Sequence, residues 1–433
     1  MAHPLVLIAC GDALVTRRVG ASREPAFNAL VTLLRSADVR FVNLEGTLHD
    51  YLGSPQAASG GTYVVGAPQI IDDLKGMGFN LYSAANNHMA DWGEGGLLGT
   101  MQTLDRAGVA YSGIGRNLAE ARCPGYLEAP SGRVALISVT STFPPHAPAG
   151  DQRPDCQGRP GVNPLRHTTT VTVDAQTLGT LSGVYGKLGL GAARARSIQL
   201  GFQQPDPDGI TTVFDTRFRV GDPWGVETAP RADDLAGNLQ WIRDARRQAD
   251  WVFVSVHAHE SAGEDEEQPA EFVRTFCRAA VDAGADAVIG HGPHLLRGIE
   301  VHGGKPIFYS LGNFIFLNEI LQRQPADFYE RLGLPPSATP ADLFDARGSR
   351  GGFGADPRFW EAVVPECRYD GRTLEAITLY PVTLGHGRPR PQRGEPVWAD
   401  GAAGRAIVER VARLSPGCRI EWRPDDSCGR LRW

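Results

Sequence analysis

The sequence predicts an α/β fold in which sheet layers are covered by helices. Two observations predict it. Short apolar runs of strand length alternate with stretches of helical spacing, and the alternation, broken once, resumes with the same character. The runs are apolar almost throughout, as in strands buried on both faces, not alternating as in half-exposed ones.

Taken in order, "LVLIAC" (5–10), "VRFVNL" (39–44), "FNLYSA" (79–84) and "VALISV" (134–139) read as buried strands. Residues 24–36, 67–77 and 94–107 between them carry helical spacing, the last opened by "DWGEGG" and closed by Gly108. The pattern then breaks. Residues 142–233 hold "TFPPHAPAGDQRPDCQGRPGVNP" and "QQPDPDG", whose Pro/Gly density predicts loops of an insertion, with "TTTVTVDA" a candidate strand. The core pattern returns with a helix at 234–249, "DWVFVSVHAH" (250–259), a helix at 269–283, "ADAVIGHGPH" (285–294) and "KPIFYSLGNFIF" (305–316). Residues 317–360 are again loop-rich. "VVPECRYDGRTLEAITLYPV" (363–382) reads as a hairpin turning at "DG", followed by a helix at 402–414 and a polar tail. The expected organisation is a catalytic domain over 1–320, its insertion 142–233 binding substrate, and a C-terminal extension over 321–433 whose hairpin and helix pack on the core.

Bulk properties narrow the function classes. With 433 residues and a net charge of −6, the chain has no basic surplus for nucleic acid. Its seven cysteines are odd in number and form no C-x-x-C, as expected of reduced thiols. The apolar run near the N-terminus is too short for a signal peptide, and no run approaches the ~18 apolar residues of a membrane span. A cytoplasmic protein with no membrane partner is expected.

The polar residues of interest share one position type, directly after an apolar strand: Asp12, Glu45, Asn87, His88, His257, His291 and His294. Strand carboxyl ends line the ligand crevice of open α/β sheets. Each has a plainer reading: a cap for Asp12, an arginine partner for Glu45, a turn for Asn86–His88, a core histidine for His257, a Gly-rich turn for "GHGPH". All five would have to hold at once. Carboxylates, an amide oxygen and imidazoles together are ligands for hard or borderline divalent cations, and the lack of a thiolate argues against a Cys-type zinc site. His259 and Glu260 extend "HAHE" and can stand behind the ligands; they fall short of H-E-x-x-H. His146 and His302 read as loop and turn residues.

The motifs "CGD", "NLEGT", "NNHMADWG", "VSVHAHE" and "GADAVIGHGPHLLRGIEVHGGKPIFYSLGNFIF", in this order, resemble the CapA family, named for poly-γ-glutamate capsule synthesis and related to calcineurin-like metallophosphoesterases. The resemblance covers most of 1–320, with 142–233 outside it. It implies a calcineurin-like four-layer α/β sandwich, two central sheets flanked by helices, with the metal at the strand ends. It implies Asp12, Glu45, Asn87, His257, His291 and His294 at a centre of one or two divalent ions, calcium or manganese before zinc. His88 would be the proton carrier, aimed by Asp91. Two departures stand out. Leu14 occupies the place where phosphoesterases carry a metal-binding histidine, and "GHGPH" is one residue longer than the usual G-H-x-H.

Three functions follow from the resemblance. The first is epimerisation at Cα of a C-terminal residue, a tryptophan for instance, of a ribosomal lasso-type precursor peptide. Cytoplasmic precursor epimerases of the MslH type look similar, and His88–Asp91 with Asp12–His294 would be the two acid–base pairs around the metal. Such an enzyme would act on a peptide, with or without a separate leader-binding protein. The second is hydrolysis of a phosphate ester with His88 as general acid. The third is a capsule-synthesis role without turnover.

Overall fold

The computed structural model describes residues 4–19 and 24–433. Two mixed sheets dominate it. The larger, ten-stranded sheet runs Arg419–Arg423, Cys428–Arg432, Thr373–Thr383, Glu361–Asp370, Leu5–Leu14, Val39–Leu44, Leu81–Ser83, Ala110–Ser112, with two short strands beside it. The six-stranded sheet runs Ile299–His302, Lys305–Phe308, Ala287–His291, Trp251–His257, Gly132–Thr140, Gly125–Ala129. In both, the central strands are parallel.

The apolar runs explain the layering. Along Leu5–Leu14, Leu5, Leu7 and Ala9 point one way and Ile8 and Cys10 the other, the two-residue period of a strand. Leu5, Leu7, Phe41 and Leu81 share one core with Leu136, Trp251, Phe253 and Ile289 of the second sheet, so the sheets face each other. Ile8, Cys10 and Val42 pack outward under helices Pro25–Arg35, Ile70–Met77 and Gly93–Ala107. Ile137, Val252 and Val254 pack outward under Ala232–Gln248 and Glu271–Asp282. Each strand is therefore buried on both faces, which is why alternation is absent from its sequence.

Three regions differ from expectation. The hairpin, expected to pack on the core, is part of the core sheet itself. Its strand Glu361–Asp370 lies in the large sheet directly against Leu5–Leu14, and its run "AVVPEC" is buried throughout. The insertion is more ordered than its Pro/Gly content predicts. Residues His167–Val173, Thr211–Val213, Thr216–Val220 and Gly225–Pro230 form a four-stranded sheet. Two helices, Ala175–Lys187 and Leu190–Gln199, accompany it around a small core of Val173, Leu178 and Val213. Glycines within and between these helices hide their periodicity. Finally, residues 317–360 carry helices Ala326–Arg331 and Pro340–Ser349, the latter started by a Thr339/Asp342 capping box. Phe328, Leu343 and Phe344 pack with Tyr63 and Trp92 in a separate cluster. No described helix is long and apolar enough to cross a membrane, and all seven cysteines are free.

Candidate metal centre

The site forms where the carboxyl ends of both sheets meet. Asp12 lies within the first strand, past a register shift between Ala9 and Asp12 against Val39–Leu44. Gly11 permits the close approach there: a Cβ at this position would fall 1.9 Å from the Gly312 carbonyl oxygen, and the Asp12 amide donates to that same oxygen. Glu45 follows the next strand directly. His257 and His291 end two parallel strands and are register partners, which sets their rings side by side. The loop 84–92 brings Asn87, His88 and Asp91. Asn86, without an expected role, ties this turn down: its Nδ2 donates to the Leu44 carbonyl and its Oδ1 accepts the His88 amide.

All of these side chains are buried, and their donor atoms converge. Three overlapping groups have ligand atoms within 4.8 Å of one another: Asp12, His257 and His291; Glu45, His257 and His259; and Asp12, Glu45 and His294. His257 joins them. Its Nδ1 lies 2.9 Å from His291 Nδ1 and 3.6 Å from Asp12 Oδ1, while its Nε2 lies 2.9 Å from Asn87 Oδ1 and 3.1 Å from His259 Nε2. His291 is oriented from behind by Ser255, whose Oγ lies 2.7 Å from Nε2, leaving Nδ1 toward Asp12.

The charges of the site call for a cation. Both oxygens of Glu45 are buried without a hydrogen-bond partner among the described residues. Burial holds its carboxyl well above the ordinary range, and the negative charges of Asp12 and Asp91 add to this. Asp12 goes the other way: burial raises it, but interactions with His257 and His291 outweigh this and hold it well below its usual value. Asn43 Nδ2 and the Gly292 amide also donate to Asp12, at 2.8 and 2.9 Å. Burial pushes His257 down to about 4 and lowers His259 and His294 as well, so these imidazoles keep the neutral form that ligates metal. An orphaned buried carboxylate beside neutral imidazoles fits a divalent cation, since an unpaired buried charge is otherwise costly.

Three histidines, His88, His259 and His294, face the adjoining cavity, of about 330 Å³, and two of them are fixed through Nδ1. His88 Nδ1 donates to Asp91 Oδ2 at 2.8 Å; that oxygen also accepts the Val64 amide, which fixes it as an acceptor. His294 Nδ1 donates to Asn313 Oδ1 at 2.9 Å. The expected Asp12–His294 pairing is looser, at 3.7 Å, because Asn313 takes the imidazole proton. Both Nε2 atoms approach Glu45 Oε1, at 3.9 Å from His88 and 3.6 Å from His294. The extra residue of "GHGPH" does not carry His294 away, since positive φ at Gly292 and His294 absorbs it. Glu260 stands off the centre, clamped by Ser141 and Thr142. His302 pairs with Asp282 at 2.8 Å and belongs to none of the three donor groups.

Leu14 lines the cavity, an apolar wall where a ligand would extend the centre. The other walls come from Gly60–Thr62, from Ser261 and Glu266, and from Arg347, Phe353 and Phe359. The insertion 142–233 contributes none of this lining; its sheet sits against helix Glu271–Asp282, with His167 stacked on Phe272 at 4.1 Å. Asn313, Asn43, Ser255 and Arg347 escaped the sequence reading. Of these, Asn43 and Asn313 left a signal, a lone amide in an apolar strand.

Comparison with known proteins shows the family. The chain is 36% identical to the Sinorhizobium fredii "Uncharacterized protein y4sH", covering 98% of this chain and 92% of that one. It is 27% identical to a "Probable polyglutamine synthesis accessory protein" of Mycobacterium tuberculosis over 83% of this chain and 68% of the other. It is 24% identical to the "Capsule biosynthesis protein CapA" of Bacillus anthracis over 60% and 46%. The family model described as "Bacterial capsule synthesis protein PGA_cap" matches residues 6–318, and the chain belongs to that family.

Proposed function

We propose that the chain is a metal-dependent hydrolase of phosphate esters on a calcineurin-like sandwich, with His88 as the proton donor to the leaving group. One observation carries this reading: a cavity-facing histidine, aimed by a carboxylate, borders a buried carboxylate–imidazole cluster. A divalent cation held by Asp12, Glu45, His257 and His291, with Asn87 and His294 at its margin, would supply an activated water and polarise the phosphoryl oxygen. Manganese and calcium suit the mixed oxygen and nitrogen donors.

The side chains do the rest. Asp91 accepts from Nδ1 of His88 and stabilises the imidazolium, so Nε2 can carry the proton outward. As the ester bond breaks, Nε2–H gives its proton to the departing oxygen. Burial around Glu45 excludes bulk water and strengthens these interactions.

The test uses protein stripped by chelator and reloaded with manganese, assayed on 4-nitrophenyl phosphate and bis(4-nitrophenyl) phosphate. Replacing His88 by Asn should lower turnover by about 10²–10⁴, the usual worth of a positioned general acid. Absence of turnover of either ester with any divalent ion sinks the reading.

A second reading has its own support. His294 is a second proton carrier, aimed by Asn313, whose Nε2 approaches the same Glu45 oxygen as that of His88. Two carriers flanking one site suit inversion at Cα of a precursor peptide, one removing a proton and the other returning one. Turnover in D2O would then add one deuterium to the C-terminal residue of the peptide. A product without that mass gain excludes it.

A further inference from the structure

The cavity contains one cation that neither reading uses. Arg347, on helix Pro340–Ser349, lines it together with His88 and His294. Its guanidinium is held on three sides. Nη1 donates to Thr62 Oγ1, and the group lies over the rings of Phe353 and Phe328, 5.2 and 5.9 Å from their centroids. No carboxylate is within ion-pair distance of it among the described residues. Glu319, the acidic residue that acts on it at longer range, is taken by Arg393.

The group is partly buried, and burial lowers its proton affinity, yet no oxyanion among the described residues pairs with it. The scaffold around it looks prepared to hold the fork still. Phe353 packs against both Arg347 and the centre, its ring 5.4 Å from that of His294. Arg347 and His294 thus share an aromatic neighbour on the wall of one cavity. Gly60 and Gly61 form the adjacent wall. A Cβ on Gly60 would fall 2.3 Å from Asn87 Nδ2, so this loop runs against the metal-site asparagine with no side chain in the cavity. Arg347, Phe353 and Phe359 lie outside the span 6–318 that the family model matches.

We propose that Arg347, braced by Thr62 and Phe353, is a specificity-determining anion subsite that takes a second oxyanion of the substrate, a carboxylate or a phosphate. The inference rests on the hydrolase reading for the position of the first anion, at the metal centre. It defines the substrate class further: a phosphate ester whose leaving group carries another negative group. A planar fork with several donors matches either oxyanion in bidentate fashion, so the two sources have to be separated by experiment.

Three probes on one scaffold do this by binding alone. Phenylphosphonate, 4-carboxyphenylphosphonate and benzene-1,4-diphosphonate are titrated calorimetrically into the manganese-loaded protein and its R347K and R347M variants. The wild-type protein should bind at least one of the doubly anionic probes about tenfold more tightly than phenylphosphonate. Whichever of the two is favoured names the oxyanion. The preference should vanish in R347M and survive in part in R347K, with phenylphosphonate unchanged in all three. Melting curves of the variants verify that they are folded. The subsite is overturned if the wild-type protein shows no preference, if R347M keeps it, or if no probe binds. Failure of ester turnover with the binding preference intact would remove the hydrolase reading and leave the subsite. Normal turnover without the preference would remove the subsite alone.

Discussion

Glu45→Gln separates the charge of the centre from its shape. Glu45 is fully buried, both oxygens lack partners, and its carboxyl is held well above the ordinary range. In metal-free protein the folded state thus binds a proton more tightly than the unfolded chain. Stability from this group is complete below the unfolded pKa near 4.5 and is lost as pH rises from there to the raised folded value. Glutamine removes that loss, so metal-free E45Q should melt above metal-free wild type at neutral pH. The cation reverses the order. Binding at a hundred times Kd adds about 2.7 kcal/mol to the protein that binds it. An unfolding entropy of roughly 2.1 cal/mol/K per residue over this chain makes 1 kcal/mol worth about 1 °C. Manganese should therefore raise the wild-type midpoint by about 3 °C and leave E45Q nearly unmoved. Scanning calorimetry with and without chelator, at pH 5 and pH 7.5, measures all of this. An E45Q protein that keeps the full manganese shift, or that melts below metal-free wild type at pH 7.5, would refute the argument.

Asp91→Asn should leave the fold intact and lower ester turnover by about 10²–10⁴, because Nδ1 of His88 loses its ionised acceptor; the pH–rate profile should move with it. Arg297→Met removes a buried fork that donates to the carbonyls of Ala258, His259 and Glu266, at about 1 kcal/mol each, so the melting point should fall by about 3 °C and the manganese affinity should weaken as the His257–His259 segment loosens. Gly11→Ala forces a methyl onto the Gly312 carbonyl, so a loss of stability of at least about 3 kcal/mol or failure to accumulate folded protein is expected by circular dichroism.

The layered core was legible because burial on both faces leaves unbroken apolar runs, and these bound the strands well. The clustering of polar donors was legible for the same reason: Asp12, Glu45, His257 and His291 each interrupt such a run where a strand delivers them, and the structure brings them together. The cavity walls were not. Arg347, Phe353 and Phe359 lie in a segment without strong periodicity and reach the site only through tertiary packing with Phe328, Tyr63 and Thr62. The hairpin was legible as a hairpin, but not its place in the sheet. Its near-continuous apolar run was the available clue, since a strand packed on the outside of a core shows a polar face. The helices of the insertion were obscured by glycine.

That hairpin has a consequence for how the chain comes to be folded. The strand Leu5–Leu14 has on one side a partner, Glu361–Asp370, that is made some 350 residues later. Until then one edge of the apolar run Leu5–Cys10 stands open, a template for mispairing with other chains. A chain cut at 318, where the family match ends, would keep every candidate donor of the centre and still carry an open edge along Leu5–Ile8 permanently. Aggregation, not loss of donors, would limit it, and the strand Glu361–Asp370 acts as the closure that this edge waits for.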